Sequence, residues 1–269
     1  MHQQQKATAL ILAASRRGPA DSVAKIQSLS HKCLVVIDGM VMLERVVREI
    51  KGAQHIGRIY VSIESEDVLD SVPALKKMRE DGEIHFLPSA NNLFDSIKDA
   101  AARIENPWPL LVSTGDNALH TSEMIDHFGS EIFQEQLDAA VAMTPASVIL
   151  EAYPEGKRAF LQMKDGGWSS CNLYALMNEK ALISARVFEG GGQFGKHPNR
   201  LLAAFGIWFS LLYKFKWATI HQLAGILSRR WHLGLKIVRM PFADAPIDVD
   251  NPGDFKRTET ILKARRVAG

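Results

Sequence analysis

The chain has 269 residues, 46% of them apolar, a net charge of +2 and two cysteines. The length suits one large α/β domain or two small ones, and the apolar share supports a sizeable core and excludes a disordered chain. Balanced charge gives no global electrostatic case for nucleic acid, and Cys33 and Cys171 lie far apart without metal-site spacing, pointing to reduced thiols in a cytoplasmic protein.

The polar start Met1 to Lys6 lacks the charged-then-apolar order of a signal peptide. Residues 7–13 read as a buried first strand, followed by a polar loop from Ala14 to His31. A short apolar run, 33–37, is turned by Asp38-Gly39, and 42–50 carries helical apolar spacing. Strands are expected at 58–63, 83–87 and 110–114, with an amphipathic helix at 93–104 and a helical segment at 121–128. Apolar strands alternating with helices predict a parallel sheet with right-handed crossovers.

The second half is less regular. A strand is expected at 139–143, and 159–163 and 171–176 flank Asp165-Gly166-Gly167 as a hairpin. Helices are expected at 179–188, 199–213 and 219–231, a last strand at 235–240, and a helix opened by Pro252 and running to about Arg265. The apolar stretch 201–213 is too short to cross a bilayer, which takes about 20 residues. It reads as a buried helix, or as a surface meeting a lipid or a partner, since Phe205, Trp208, Phe209, Tyr213, Phe215 and Trp217 crowd there. No repeat or linker divides the chain. One domain is expected, with a nucleotide-binding half at 7–130 and an acceptor-side half at 131–269.

Asp116 is the most informative residue. It ends the apolar run Pro109 to Gly115 and so sits at the carboxyl end of a buried strand, where ligands bind in open α/β sheets. A carboxylate there suits Mg²⁺, which prefers oxygen ligands shared with substrate phosphates. Asp248 and Asp250, in Ile247-Asp-Val-Asp-Asn-Pro252, are the candidates for a second ligand, with Asp250 or Asn251 equally able to cap the helix opened by Pro252.

The segment Leu12-Ala-Ala-Ser-Arg-Arg-Gly-Pro19, then Lys32 before Asp38-Gly39, then Asp116, then Asp248-x-Asp250-Asn-Pro-Gly-Asp254, in that order, resembles the MobA-like NTP transferase family of nucleotidyltransferases. Ser15 stands where the family has a glycine, and Cys33-Leu34 where it has a proline. The resemblance implies a glycosyltransferase-A type fold: a Rossmann-like, mostly parallel sheet of the nucleotide-diphospho-sugar transferase type. Helices lie on both faces, and a hairpin and helices are inserted on the acceptor side. It implies catalytic roles for Arg16, Lys32 and Asp116, phosphate binding at Ala13, Ala14, Ser15, Arg16 and Lys32, and Mg²⁺ at Asp116 with Asp250 or Asp248. It also places base reading after the third strand, at Asn91, Asn92 and Ser96, with capping by Asn92 the competing role. On the acceptor side it makes Asn172 a candidate, beside a strand.

Gly190 to Lys196 fits the start of a phosphate-binding loop, but His197 replaces its Ser/Thr and a helix rather than a strand precedes it. A loop over the site is the better reading, with Lys196, Lys157 and Arg158 as acceptor-phosphate contacts. The nine histidines show no zinc spacing. The expected activity is transfer of a nucleoside monophosphate from CTP or GTP to a small phosphorylated acceptor, which the aromatic stretch allows to be apolar. The alternatives are a sugar transferase of the same fold and a non-catalytic nucleotide-binding protein. No nucleic-acid partner and no transmembrane segment are expected, and a homodimer is compatible with the sequence.

Overall fold

The computed structural model describes residues 5–15, 17–155, 159–189 and 207–268. An eight-stranded sheet has the order β10-β7-β9-β6-β1-β4-β5, with β8 paired to β9. The first half follows the expected alternation: β1 (Ala7–Leu12), β4 (Ile56–Ile63), β5 (His85–Pro88) and β6 (Leu110–Thr114) are mutually parallel. β1 sits between β4 and β6 and is buried on both sides, in keeping with the apolar run Ala7–Leu12, in which Thr8 is the one polar residue.

Strand alternation sends side chains to two faces. On one, Ile11 and Leu111 join Val46 of α1 (Met42–Gly52) and Phe128 of α5 (Ser122–Phe133). On the other, Leu10 and Val112 meet Ile97 and Ala100 of α4 (Leu93–Arg103). Between β1 and α1, the loop expected at 14–31 carries two short 3₁₀ turns, a third follows at Lys32–Leu34, and the turn expected at Asp38-Gly39 joins a two-stranded hairpin, β2 (Val36–Ile37) and β3 (Met40–Val41). Asp38 and Gly39 both have positive φ, 48° and 78°, the pair a tight two-residue hairpin demands. Two helices absent from the expected set, α2 (Glu66–Asp70) and α3 (Pro73–Glu80), bridge β4 and β5.

The second half breaks the parallel rule. β7 (Ala139–Pro145) leads into α6 (Ala146–Ala152), then β8 (Leu161–Met163) and β9 (Gly166–Leu176) form the expected hairpin, with Gly166 at φ 109° in its turn. β9 then inserts antiparallel between β6 and β7. The helix expected at 179–188 is broken into 3₁₀ turns around α7 (Leu182–Ala185). α8 (Ile207–Lys214) and α9 (Ile220–Trp231) follow, the latter held by a capping box between Thr219 and Gln222. β10 (Leu235–Arg239) returns parallel to β7.

The chain closes through α10 (Pro252–Ala268). Ile247, Val249, Ile261 and Leu262 pack with Val23, Val35, Ile37 and Leu119, so the last segment folds onto the loop that follows β1. Arg265 fixes this closure, donating to the Leu119 carbonyl at 3.0 Å and to Asp244 at 2.6 Å. No helix among the described residues is long and apolar enough to cross a membrane.

Candidate functional site

Three elements deliver charge to one point at the carboxyl edge of the sheet. Lys32 lies in the 3₁₀ turn Lys32–Leu34, Asp116 just beyond β6, and Asp250 just before α10. Lys32 Nζ donates to Asp116 Oδ2 at 2.5 Å and to Asp250 Oδ1 at 3.0 Å, across sequence separations of 84 and 218 residues. The Asp116 backbone takes part as well, since its carbonyl accepts the Val249 N–H at 3.1 Å and so seats Asp250 beside it. The capping role open to Asp250 or Asn251 falls to Asn251, whose Oδ1 accepts from Gly253 and Asp254 at the start of α10, and Thr121 rather than Asp116 caps α5.

Burial by itself lowers the pKa of Lys32 and raises that of Asp116, because each loses hydration of its charged form. Mutual attraction and hydrogen bonding overrule both, helped by Asp250 on the lysine and by Thr114 on the aspartate. Lys32 is held above the ordinary lysine range and Asp116 below the ordinary carboxylate range, so both are charged at neutral pH. Cys33, next in the chain, is buried and its thiol is pushed up to about 12, which makes it an inert packing residue.

A second ring of polar groups supports the cluster. Thr114 Oγ1 donates to Asp116 Oδ1 at 2.5 Å, and the fully buried Asn117 donates to Thr114 Oγ1 at 2.5 Å. Asn172 Nδ2 reaches Asn117 Oδ1 at 3.4 Å and Asp248 Oδ2 at 3.2 Å. Asn172 can do this because β9 slips register against β7 between Val141 and Met143, and its own φ is 51°. Bulges of this kind re-aim side chains beside active sites, and asparagine tolerates left-handed backbone.

The loop after β1 is drawn tight against β6. Ala13 donates to the Ser62 carbonyl at 2.9 Å, and a Cβ on Gly115 would lie 3.1 Å from the Ala13 Cβ. Gly115→Val is therefore expected to destabilise the fold by about 1–3 kcal/mol; an unchanged urea midpoint would contradict this close approach. Ala14 is exposed, and the Ser15 N–H donates to Glu64 Oε1 at 2.5 Å. Glu64 also pairs with His31 at 3.2 Å. A carboxylate thus holds an amide expected to face phosphate.

On the base side, Asn92 Oδ1 caps α4 by accepting from Asp95 N–H at 2.9 Å, and Ser96 Oγ accepts from Ala90 N–H at 2.9 Å. Asn91 is exposed at the same loop. Arg16, Lys157, Arg158 and Lys196, with the Gly190–Lys196 loop, lie outside the described residues. Glu64, Thr114 and Asn117 were not among the expected site residues. Glu64 had a legible signal, since it follows the apolar strand 56–63 and so emerges at the same sheet edge as Asp116.

Among the described residues, no three acidic, histidine or cysteine side chains gather as a closed metal cage. Two carboxylates converging on one cation, here the Lys32 ammonium, nevertheless fit Mg²⁺, which commonly takes one or two protein carboxylates and completes its shell with water and substrate phosphate.

A mostly parallel sheet with helices on both faces and an antiparallel strand beside β6 is the architecture of the nucleotide-diphospho-sugar transferases. The MobA-like NTP transferase domain matches residues 9–198, and the chain belongs to that family; its class is that of the nucleotidyltransferases. A hypothetical transferase from Thermus thermophilus superposes with a TM-score of 0.73 at 20% identity, covering 93% of this chain and 100% of its own. 4-Diphosphocytidyl-2C-methyl-D-erythritol synthase from Anaerococcus prevotii DSM 20548 has a TM-score of 0.59 at 13% identity, covering 97% and 100%. CMP:2-keto-3-deoxy-manno-octonic acid synthetase, solved with CTP, has a TM-score of 0.59 at 12% identity, again covering 97% and 100%. At these identities the likenesses show a shared fold. No protein of curated function is similar in sequence.

Proposed function

We propose that this chain is a Mg²⁺-dependent nucleotidyltransferase that moves a nucleoside monophosphate from CTP or GTP to a phosphorylated acceptor. The observation that carries the reading is the convergence of Lys32, Asp116 and Asp250 from three distant parts of the chain. A phosphate oxygen of the acceptor forms a bond to the α-phosphorus. The bridging α–β P–O bond breaks, and pyrophosphate leaves with its electron pair. The acceptor phosphate is already an anionic nucleophile, so the protein need not supply a base; positioning and charge stabilisation are its tasks.

Asp116 and Asp250 would hold Mg²⁺, which when bound supplies neutralisation of charge on the reacting phosphates. Lys32 contributes a permanent positive charge at the same place, and Thr114 fixes the Asp116 carboxylate. The Ala13–Ser15 backbone and Arg16 are assigned to the triphosphate, Asn91 to reading the base, and Asn172, bonded to Asp248, to orienting the acceptor. Lys157, Arg158 and Lys196 are assigned to the acceptor phosphate. CTP is favoured over GTP by the likeness to a CTP-bound synthetase. The direct test is pyrophosphate release from CTP, GTP, UTP and ATP with Mg²⁺ and a pool of phosphorylated acceptors. Release with one triphosphate that depends on an added acceptor is the expected result. Nucleotide binding without release, together with turnover of a nucleotide sugar, would replace this reading with the sugar transferase.

Glu64 makes a separate prediction. Its carboxylate competes with phosphate for the Ser15 amide and repels it. Glu64→Gln should tighten CTP binding roughly two- to fivefold, the scale of an exposed charge interaction. Weaker binding in the variant would mean that Glu64 instead props the loop in its receptive shape.

A further inference from the structure

A cavity of about 580 Å³ lies between the β7–β9 part of the sheet and α9, within the range of about 300–1,000 Å³ usual for ligand pockets. Its walls are largely apolar, with Val112, Val141, Trp168, Leu223 and Leu227 prominent. Its polar end carries Asn172 and Asp248, the residues bonded to one another at 3.2 Å and linked through Asn117 and Thr114 to Asp116.

We infer that this cavity takes an alkyl or isoprenyl chain, so that the acceptor is an amphiphilic monophosphate whose phosphate sits at the Asn172 end. The inference rests on the nucleotidyltransferase reading and names the acceptor class for it. Beyond Asn172 and Asp248 the described lining adds Ser169, Ser170, Tyr174, Ser184 and Lys236, but most of the wall is hydrocarbon, which suits a chain that needs no hydrogen-bond partners better than a nucleobase or a sugar, whose polar groups each need one. The sheet strands that line the cavity are mainly β7, β9 and β10, on one side of β6 in the sheet order, whereas the β1 loop and the Asn91 loop follow strands on its other side.

A second observation bears on where such an acceptor is collected. Tyr213 lines the cavity, and two and four residues beyond it Phe215 and Trp217 stack at 4.8 Å while remaining 49% and 64% exposed. Lys214 lies 5.8 Å over the Phe215 ring and Lys216 is exposed beside it. Exposed aromatics flanked by lysines suit the boundary of an anionic lipid surface.

The test is calorimetric titration of the intact protein with ethyl, butyl, hexyl and octyl phosphate below their aggregation concentrations. A fully buried methylene tightens binding by roughly fourfold, so butyl to octyl should gain at least about tenfold. Ala224→Phe, which fills the cavity from α9, should abolish the gain while CTP binding reports that the variant is folded. If Ala224→Phe does not fold, the chain-length series on the native protein decides alone. Affinity that is flat with chain length, or tighter for glycerol phosphate than for octyl phosphate, overturns the inference. Pyrophosphate release is read in parallel. A length-dependent affinity with no release from any triphosphate leaves the cavity assigned and removes the transferase reading. Release with polar acceptors and no length dependence does the reverse. Sedimentation with phosphatidylcholine vesicles carrying dihexadecyl phosphate separates the two sources. Binding lost in Trp217→Ser assigns a bilayer-held acceptor, and octyl phosphate binding without vesicle binding assigns a freely dissolved one.

Discussion

Asp116→Asn is expected to lower nucleotidyl transfer by about 100- to 1,000-fold, the loss typical of removing one electrostatic stabiliser of a transition state. The change is isosteric, and the Thr114 hydroxyl can still donate to the amide oxygen. What disappears is one of the two negative charges that face Lys32. Folding should survive with a cost of about 1–3 kcal/mol, the scale of a hydrogen bond to a charged group. Single-turnover pyrophosphate release at saturating nucleotide, beside a urea unfolding curve, separates the two effects. Activity within about threefold of the native chain would remove Asp116 from the chemistry altogether.

Lys32→Ala is expected to act on stability and on binding in opposite ionic conditions. Without the ammonium, Asp116 and Asp250 face one another unneutralised, and like charges at short range disfavour the folded state. In EDTA the variant should therefore melt below the native protein. Added Mg²⁺ should restore much of the difference, because an ion that binds only the folded site stabilises by mass action. The native chain, with its own cation in place, should respond less. Transfer should still fall by at least about tenfold, since Lys32 also carries charge toward the triphosphate. A melting temperature indifferent to Mg²⁺ in both proteins would separate the two carboxylates from any role as a cation site.

The half of the fold that follows one local rule was legible from sequence. Mainly apolar runs at 7–12 and 110–114, with only Thr8, Ser113 and Thr114 polar, suit strands buried on both faces of a parallel sheet, and the structure places them side by side. The carboxyl end of β6 followed from the same reasoning, and with it the position of Asp116. Elements set by long-range contact were not legible. β9 alternates buried and half-buried residues like any strand, and nothing in it states that it runs antiparallel between two strands that precede it in the chain. The helix expected at 179–188 had suitable apolar spacing but is interrupted, with Ala181 and Ala185 packed against the α4 face. For Glu64 the place at the end of a strand was legible, but its contact was not, because its partner, the Ser15 N–H, belongs to the backbone and leaves no mark in the sequence. Asn172 was picked out by the family resemblance and its place beside a strand, yet its reach depends on a bulge created by register slip between two strands.

The span from Lys32 to Asp250 also sets a clock. A ribosome adding about 5–20 residues per second needs roughly 10–40 s to travel the 218 residues between them. Throughout that interval the nascent chain has a sheet able to form around β1 and β6 but only one of the two carboxylates that face the lysine. The charge cluster is complete only when the chain has come round to meet the loop that follows its first strand.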